Sequence, residues 1–353
     1  MTTYFYAASA PTGDVVTYRL DQAAERITHA STAPTDGKLA AMAIDVPGRR
    51  LYVADRNMPG ILTFAIDPAD GSLRKLATTP TAGGFVYLLL ADGWIYGASY
   101  HEGIVGGHPL TADGIVGPAP LPPLALGADA RCHAIAAGDD GDLWVSALGH
   151  DLLYRVARDD TGAVTGLRSS LPAAAGSGPR HITLYPERSM LYVIGERSAR
   201  IAEYRLAEEQ VAVRDWATLP DEIRLAPGIV RVPGEEPPAR DPATGLPFTW
   251  AADLVLSPDG ELLFSSERAS STVSVTSAAT GELLSWMRTE QQPRGIAVDP
   301  DGQFLLVTGE LSETVTLYRV EDGGRRLRLA DRVASPPGLL WAESAVFLPD
   351  SGQ

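Results

Sequence analysis

Short apolar runs separated by polar turns recur along the chain with one grammar. The stretches "AIDVPGRRLYVADRNMPGILTFAI" from Ala43, "TLYPERSMLYVIGERSARIAEYRL" from Thr183, "LVLSPDGELLFSSERASSTVSVTS" from Leu254 and "AVDPDGQFLLVTGELSETVTLYRV" from Ala297 are copies of it. Each reads as a short apolar strand, a Pro-Asp-Gly-like turn, an apolar or aromatic strand, a polar turn and an alternating strand ending near Tyr or Phe. Weaker copies start at Leu88 and Ala134. The period of roughly 45 residues is that of a four-stranded propeller blade. Long helical periodicity is absent, so the pattern predicts an all-β chain.

The ends of the chain complete each other. "YFYAASAPTGDVVTYRL" near the N-terminus starts at a second strand, whereas "ESAVFLPDSGQ", from Glu343 to Gln353, is a first strand and its turn with nothing after it. Joined in one blade they close the ring and leave no edge strand to pair with another molecule. The count is then seven four-stranded blades in a single domain over residues 1–353. One interval breaks the period: "RVPGEEPPARDPATGLPF", near 231–248, is Pro-rich and too long for an ordinary connection. It is either a tolerated surface insertion or a rim over a site.

Composition narrows the partners. A net charge of -15 over 353 residues argues against nucleic acid or an anionic membrane surface, which recruit basic stripes. A single cysteine, Cys132, leaves no internal disulfide and fits a reducing compartment; with no basic n-region at the N-terminus and no long apolar run, the expectation is a cytoplasmic protein. Cys132 has only Arg131 as a basic neighbour and reads as a small buried residue. His29, His101, His108 and His150 fall in outer-strand or turn contexts and are expected to be solvated.

The charges that matter lie at one end of the hairpins. Arg180 and His181 open a first strand and Glu196 closes the second, so an antiparallel hairpin brings them together. Arg294 and Glu310 repeat the offset, Trp250 and Asp253 open another first strand, Arg268 is the counterpart of Glu196, and His133 is in register with His181. First strands line a propeller's channel, so these residues are expected at one mouth, where Arg, His and carboxylate suit an anionic, oxygen-rich small molecule. A structural ion pair explains any one of them alone; their convergence favours a site. Arginines at equivalent openings speak against a carboxylate cage for a metal, and no cofactor motif is present.

In order and spacing, "CHAI", "GPRHITLYP", "GERSARIAEYRL", "WAADLVLSPDGELLFSSERASSTVSV" and "QPRGIAVDPDGQFLLVTGELSETVTLY" resemble the lactonase family of propellers, which includes the bacterial propeller-type 6-phosphogluconolactonases and the fungal carboxymuconate-lactonizing enzymes. The resemblance implies a seven-bladed propeller that hydrolyses a sugar-acid lactone without metal. Alternatives are lactone formation from carboxymuconate and a binding propeller with no chemistry. It places the catalytic residues at His133, Arg180 and Glu196, with Glu196 or His133 as base and Arg180 over the oxyanion. His181, Trp250, Asp253, Arg268 and Arg294 would bind substrate. The chain departs from the pattern in Glu267, where the hydrolases usually carry Asp, and in "TGELS", where they often have Gln after the Gly.

Overall fold

The computed structural model describes residues 1–206, 211–230 and 238–348. They form seven four-stranded antiparallel sheets, each in simple meander order. Blade 2 shows the pattern, with Leu39–Asp45 innermost, then Arg50–Asp55, Gly60–Ile66 and Leu73–Pro80 outermost. The first strands of blades 3 to 7 are Phe85–Ala91, Cys132–Ala137, Pro179–Tyr185, Ala251–Leu256 and Pro293–Val298. Among the described residues the only helical segments are three single 3-10 turns.

Burial follows from the stacking of blades. Second strands such as Trp94–Ser99, Met190–Gly195 and Phe304–Gly309 are buried along their whole length because both faces are covered by neighbouring blades. Their sequences are accordingly continuous apolar runs. The outermost strands see water, and Arg26–Pro34 is mostly exposed. At the Pro-Asp-Gly turn of blade 6, Gly260 has φ +72°, and a Cβ there would press to 2.2 Å from the Tyr185 ring of blade 5. That turn therefore takes glycine both for its backbone conformation and for the close blade contact.

Blade 1 is the composite one. Leu339–Phe347 pairs antiparallel with Thr2–Ser9, in register from Thr2 opposite Phe347 to Ala8 opposite Trp341 and then with a one-residue slip to Ser9 opposite Leu339. The closing strand begins four residues before Glu343, and Leu339, Leu340, Ala345 and Phe347 are all buried. Of the interval 231–248, residues 231–237 lie outside the described part. Residues 238–248 form a hydrogen-bonded turn, with Arg240 bridged to Pro247 and Ala226 to Phe248.

Candidate active site

In every blade the first strand carries one residue more than its partner at the same place. Pro179 pairs with Gly195 and Ile182 with Val193, so Arg180 and His181 share the space of one residue in the ladder. The same slip lies between Leu39 and Met42, Cys132 and Ile135, and Ala251 and Leu254, and it puts His133 in register with Arg180 rather than with His181 as expected, because Cys132 is the counterpart of Pro179. It recurs at Phe85–Tyr87, Pro293–Gly295 and Leu339–Trp341. A bulge bends the strand and re-aims its side chains. Here it lets two consecutive residues, Arg180 and His181, line one hollow together. The backbone groups it frees are met in three blades by a hydroxyl of the second strand. Ser146 Oγ accepts from Ala134 N–H at 2.9 Å and Ser266 Oγ from Asp253 N–H at 3.1 Å, while Thr308 Oγ1 donates to the Gly295 carbonyl at 3.0 Å.

The predicted charges meet there. Arg180, 2% exposed, donates from Nε to Glu196 Oε2 at 2.9 Å and from a terminal nitrogen to the Ala252 carbonyl. Arg268, from the next blade, donates to the same Glu196 oxygen at 2.7 Å, and its guanidinium lies 3.8 Å from the centre of the Trp250 ring. Arg294 pairs with Glu310 at 3.0 Å. Burial pulls the guanidinium pKa values down, Arg180 to about 10 and Arg268 to about 9, so both stay cationic at neutral pH. Burial also pushes the Glu196 carboxyl upward, but Arg268 and Arg180 outweigh it and hold it below its ordinary range. Glu196 is thus an ionised, doubly engaged carboxylate, a holder of arginines rather than a ready proton acceptor.

His181 and Asp253, both expected at the mouth, are joined across the blade 5–blade 6 seam: the imidazole Nδ1 and the carboxylate Oδ1 are 2.6 Å apart. The other carboxylate oxygen accepts Ile296 N–H of blade 7 at 3.0 Å, so Asp253 ties three blades together. Desolvation, then Arg180, lowers the His181 pKa to about 4 despite the carboxylate. The ring is neutral, Nδ1–H faces Asp253, and Nε2 is buried without a hydrogen-bond partner. His133 lies with its ring 5.1 Å from that of His181, and burial followed by Arg180 and His181 depresses it well below the ordinary histidine value. Its Nδ1 is likewise unpartnered.

Arg56 belongs to the same hollow, although the sequence reading passed over it. It follows Asp55 just as Arg268 follows Glu267, and Asp55 pairs with Leu39 as Glu267 pairs with Ala251. The signal was the repeated acidic-Arg step in "VADRN" and "SSERA". Its Nε is buried and unpartnered, and burial and Arg294 lower its pKa. Asp55 and Glu267 brace turns: Glu267 accepts Trp250 N–H and Ser270 N–H, each at 2.6 Å, and Asp55 accepts Lys38 N–H and Asn57 N–H.

Cys132 is fully buried and burial pushes its thiol up to about 12, consistent with packing. His108 is a correction: it is 2% exposed rather than solvated, with Nδ1 3.0 Å from the Gly117 carbonyl, because the shortness of blade 3's outermost strand, Leu124–Ala125, lets 110–123 fold over it.

A family model described as lactonase, seven-bladed β-propeller, matches residues 2–341. The chain belongs to that family. Among curated members it is 27% identical over 343 residues to a protein of Enterobacter sp. (strain 638) named 6-phosphogluconolactonase, covering 95% of this chain and 97% of the relative. It is 28% identical to the protein of that name from Pectobacterium atrosepticum, covering 95% and 96%. Among solved structures, a protein of Lactobacillus plantarum aligns with TM-score 0.82 at 22% identity over 98% of this chain and 100% of that one. The periplasmic gluconolactonase of Pseudomonas aeruginosa aligns with TM-score 0.81 at 18% identity over 99% and 100%. Those two likenesses speak to the fold. In the described residues no helix is long and apolar enough to cross a membrane.

Proposed function

We propose that this propeller hydrolyses a sugar-acid lactone, without metal, at the mouth described above. The observation that carries the reading is a tautomer-fixed histidine, His181 on Asp253, set among buried guanidiniums. Family membership and the names of the curated relatives support the substrate class. The hollow bounded by Arg56, His133, Arg180, His181 and Arg294 has a volume of about 10 Å³, roughly the room of one water and far too small for a sugar. The lactone therefore lies over it from the mouth. His181 Nε2 takes a proton from the attacking water while Arg180 faces the carbonyl oxygen as it becomes an oxyanion. Collapse of the tetrahedral intermediate breaks the acyl–oxygen bond. The proton passes from His181 to the neighbouring His133, which gives one to the departing ring oxygen, so water and lactone give the hydroxy acid.

Of the residues proposed from sequence, His133 and Arg180 keep catalytic roles. Glu196 becomes the residue that positions Arg180, and Arg268, Arg294 and Trp250 surround the substrate. The metal-free reading rests on the cations: a divalent ion would have to enter beside Arg180, Arg268 and Arg294. Cytoplasmic residence is proposed on the lone Cys132.

The test is a panel of glucono-1,5-lactone, its 6-phosphate and carboxymuconate, followed by proton release and ultraviolet absorbance. Turnover of either sugar lactone, unchanged after exhaustive chelation, is the expected result. Turnover of carboxymuconate alone would move the chain to the lactonizing reaction. Loss on chelation restored by Ca²⁺ would overturn the metal-free reading.

A further inference from the structure

The longest connection between blades builds a second cavity beside this site. Blades 1, 2, 6 and 7 are followed by short links at 35–38, 81–84, 289–292 and 335–338, whereas blades 5 and 6 are joined by 218–250. Among the described residues this connection carries no strand, and one of such length is usually functional. Its described part is pinned: Ala226 N–H donates to the Pro247 carbonyl, Thr249 N–H to the Ala226 carbonyl and Gly228 N–H to the Arg197 carbonyl, each at 2.8 Å. The Asp241 carboxylate caps the turn that follows it, accepting Ala243 N–H at 3.1 Å and the Thr244 hydroxyl at 2.6 Å.

With Gln291 and Gln292 of the next link, this segment walls a cavity of about 640 Å³. The lining includes Phe248, Trp250, Gln291, Gln292 and Arg240. Trp250 links this cavity to the site, because its ring also stacks on Arg268, which holds Glu196 and through it Arg180. The volume lies within the roughly 300–1,000 Å³ that encloses a whole small-molecule ligand, far more than a phosphate fills. Recognition of a phosphate favours several converging cations. Among the described residues Arg240 is the one cationic side chain in the lining, and it donates to the Gly245 carbonyl at 3.0 Å. Aromatic faces with carboxamides beside them suit an uncharged polyhydroxylated group: ring C–H faces lie on Trp and Phe, and hydroxyls reach the glutamines.

We propose that this cavity is a glycosyl subsite, and that the preferred substrate is an aldonolactone bearing a further sugar residue, with the lactone over His181 and Arg180 and the sugar against Phe248 and Trp250. The proposal rests on the hydrolase reading and extends it. The test compares kcat/KM for glucono-1,5-lactone, its 6-phosphate and the lactone of a β-linked disaccharide acid in the wild type, Phe248→Ala and Gln291→Ala, with Phe248→Leu as the milder variant should Phe248→Ala fold poorly. The wild type should favour the disaccharide lactone over gluconolactone by about tenfold or more, and each variant should lose about tenfold on it alone. Binding of the free disaccharide acid, read by calorimetry, should weaken in parallel. If the small lactones are turned over but the disaccharide lactone is no better, or the variants treat all three alike, the subsite is wrong and the hydrolase reading stands. If no lactone is turned over, the hydrolase reading falls; disaccharide acid that then binds wild type and Phe248→Ala equally would overturn the subsite as well.

Discussion

The mouth of the channel is made of two arcs on one backbone. Blades 4 to 7 place His133, Arg180 with His181, Asp253 and Arg294 at the first-strand bulge, and blades 1 to 3 place Leu340 with Trp341, Ala40 with Ala41, and Val86 with Tyr87 at the same bulge. The fold repeats the device that aims side chains into the channel seven times, and the proposed chemistry uses it on one side. Only Arg56, from the end of a second strand, brings a cation from the other side. The apolar arc still has an electrical effect. Leu340, Val86 and Ala40 fill space that water would screen, so the attraction between the guanidiniums and a developing oxyanion is stronger than it would be in solvent.

Arg180→Lys gives the largest expected change. It keeps the charge but loses the planar fork that reaches Glu196 and the Ala252 carbonyl together. An expected loss of roughly 10²- to 10³-fold in kcat/KM follows from removing an oriented donor to the oxyanion. Melting temperature measured on the same protein separates chemistry from bracing. A variant that melts early yet keeps full turnover per folded molecule would make the charged arc a structural clamp.

Asp253→Asn tests the dyad. Asp253 accepts from Ile296 N–H on one oxygen and sits against His181 Nδ1 with the other, so an amide must turn its NH₂ toward one of them. Turned to His181, it forces the proton onto Nε2 and removes the base, with a loss of roughly 10²-fold expected in kcat. The wild-type pH profile carries the same information. Because His181 must be neutral to act, kcat/KM should stay level from neutral pH down and fall only as pH drops through about 4, the value to which burial and Arg180 bring it. An acid limb near pH 6.5 would mean that His181 is not the base, or does not feel the arginines.

The arcs also mark what the sequence could and could not disclose. Period, closure and the shared end of Arg180, His181 and Glu196 were legible because they depend on repeat spacing and hairpin geometry. Arg56 was legible too, as an acidic-Arg step at an equivalent position. The His181–Asp253 contact was not, because it crosses a seam whose geometry is set by blade packing, and because the bulge that brings His181 round leaves no mark in its own strand. A trace of the bulge lies in the neighbouring strand, in the hydroxyls of "LWVSA", "LLFSSE" and "LLVTG" within otherwise apolar runs. The role of Glu196 needed coordinates for another reason: a carboxylate near one arginine can be a base, and only the second guanidinium, from Arg268, shows that it is occupied.

The smallest effect is expected on the apolar side. Leu340 occupies the bulge position that Arg180 holds in blade 5, is 4% exposed and lines the same hollow. If that arc only excludes water, Leu340→Met, which conserves volume and polarity, should cost less than about 1.5 kcal/mol of stability and leave kcat/KM within about twofold. Melting temperature and turnover of both gluconolactones check this directly. A tenfold loss for one lactone with an unchanged melting temperature would show that Leu340 touches the substrate. The division into a reacting arc and an excluding arc would then give way to a ring that reads the sugar from all sides.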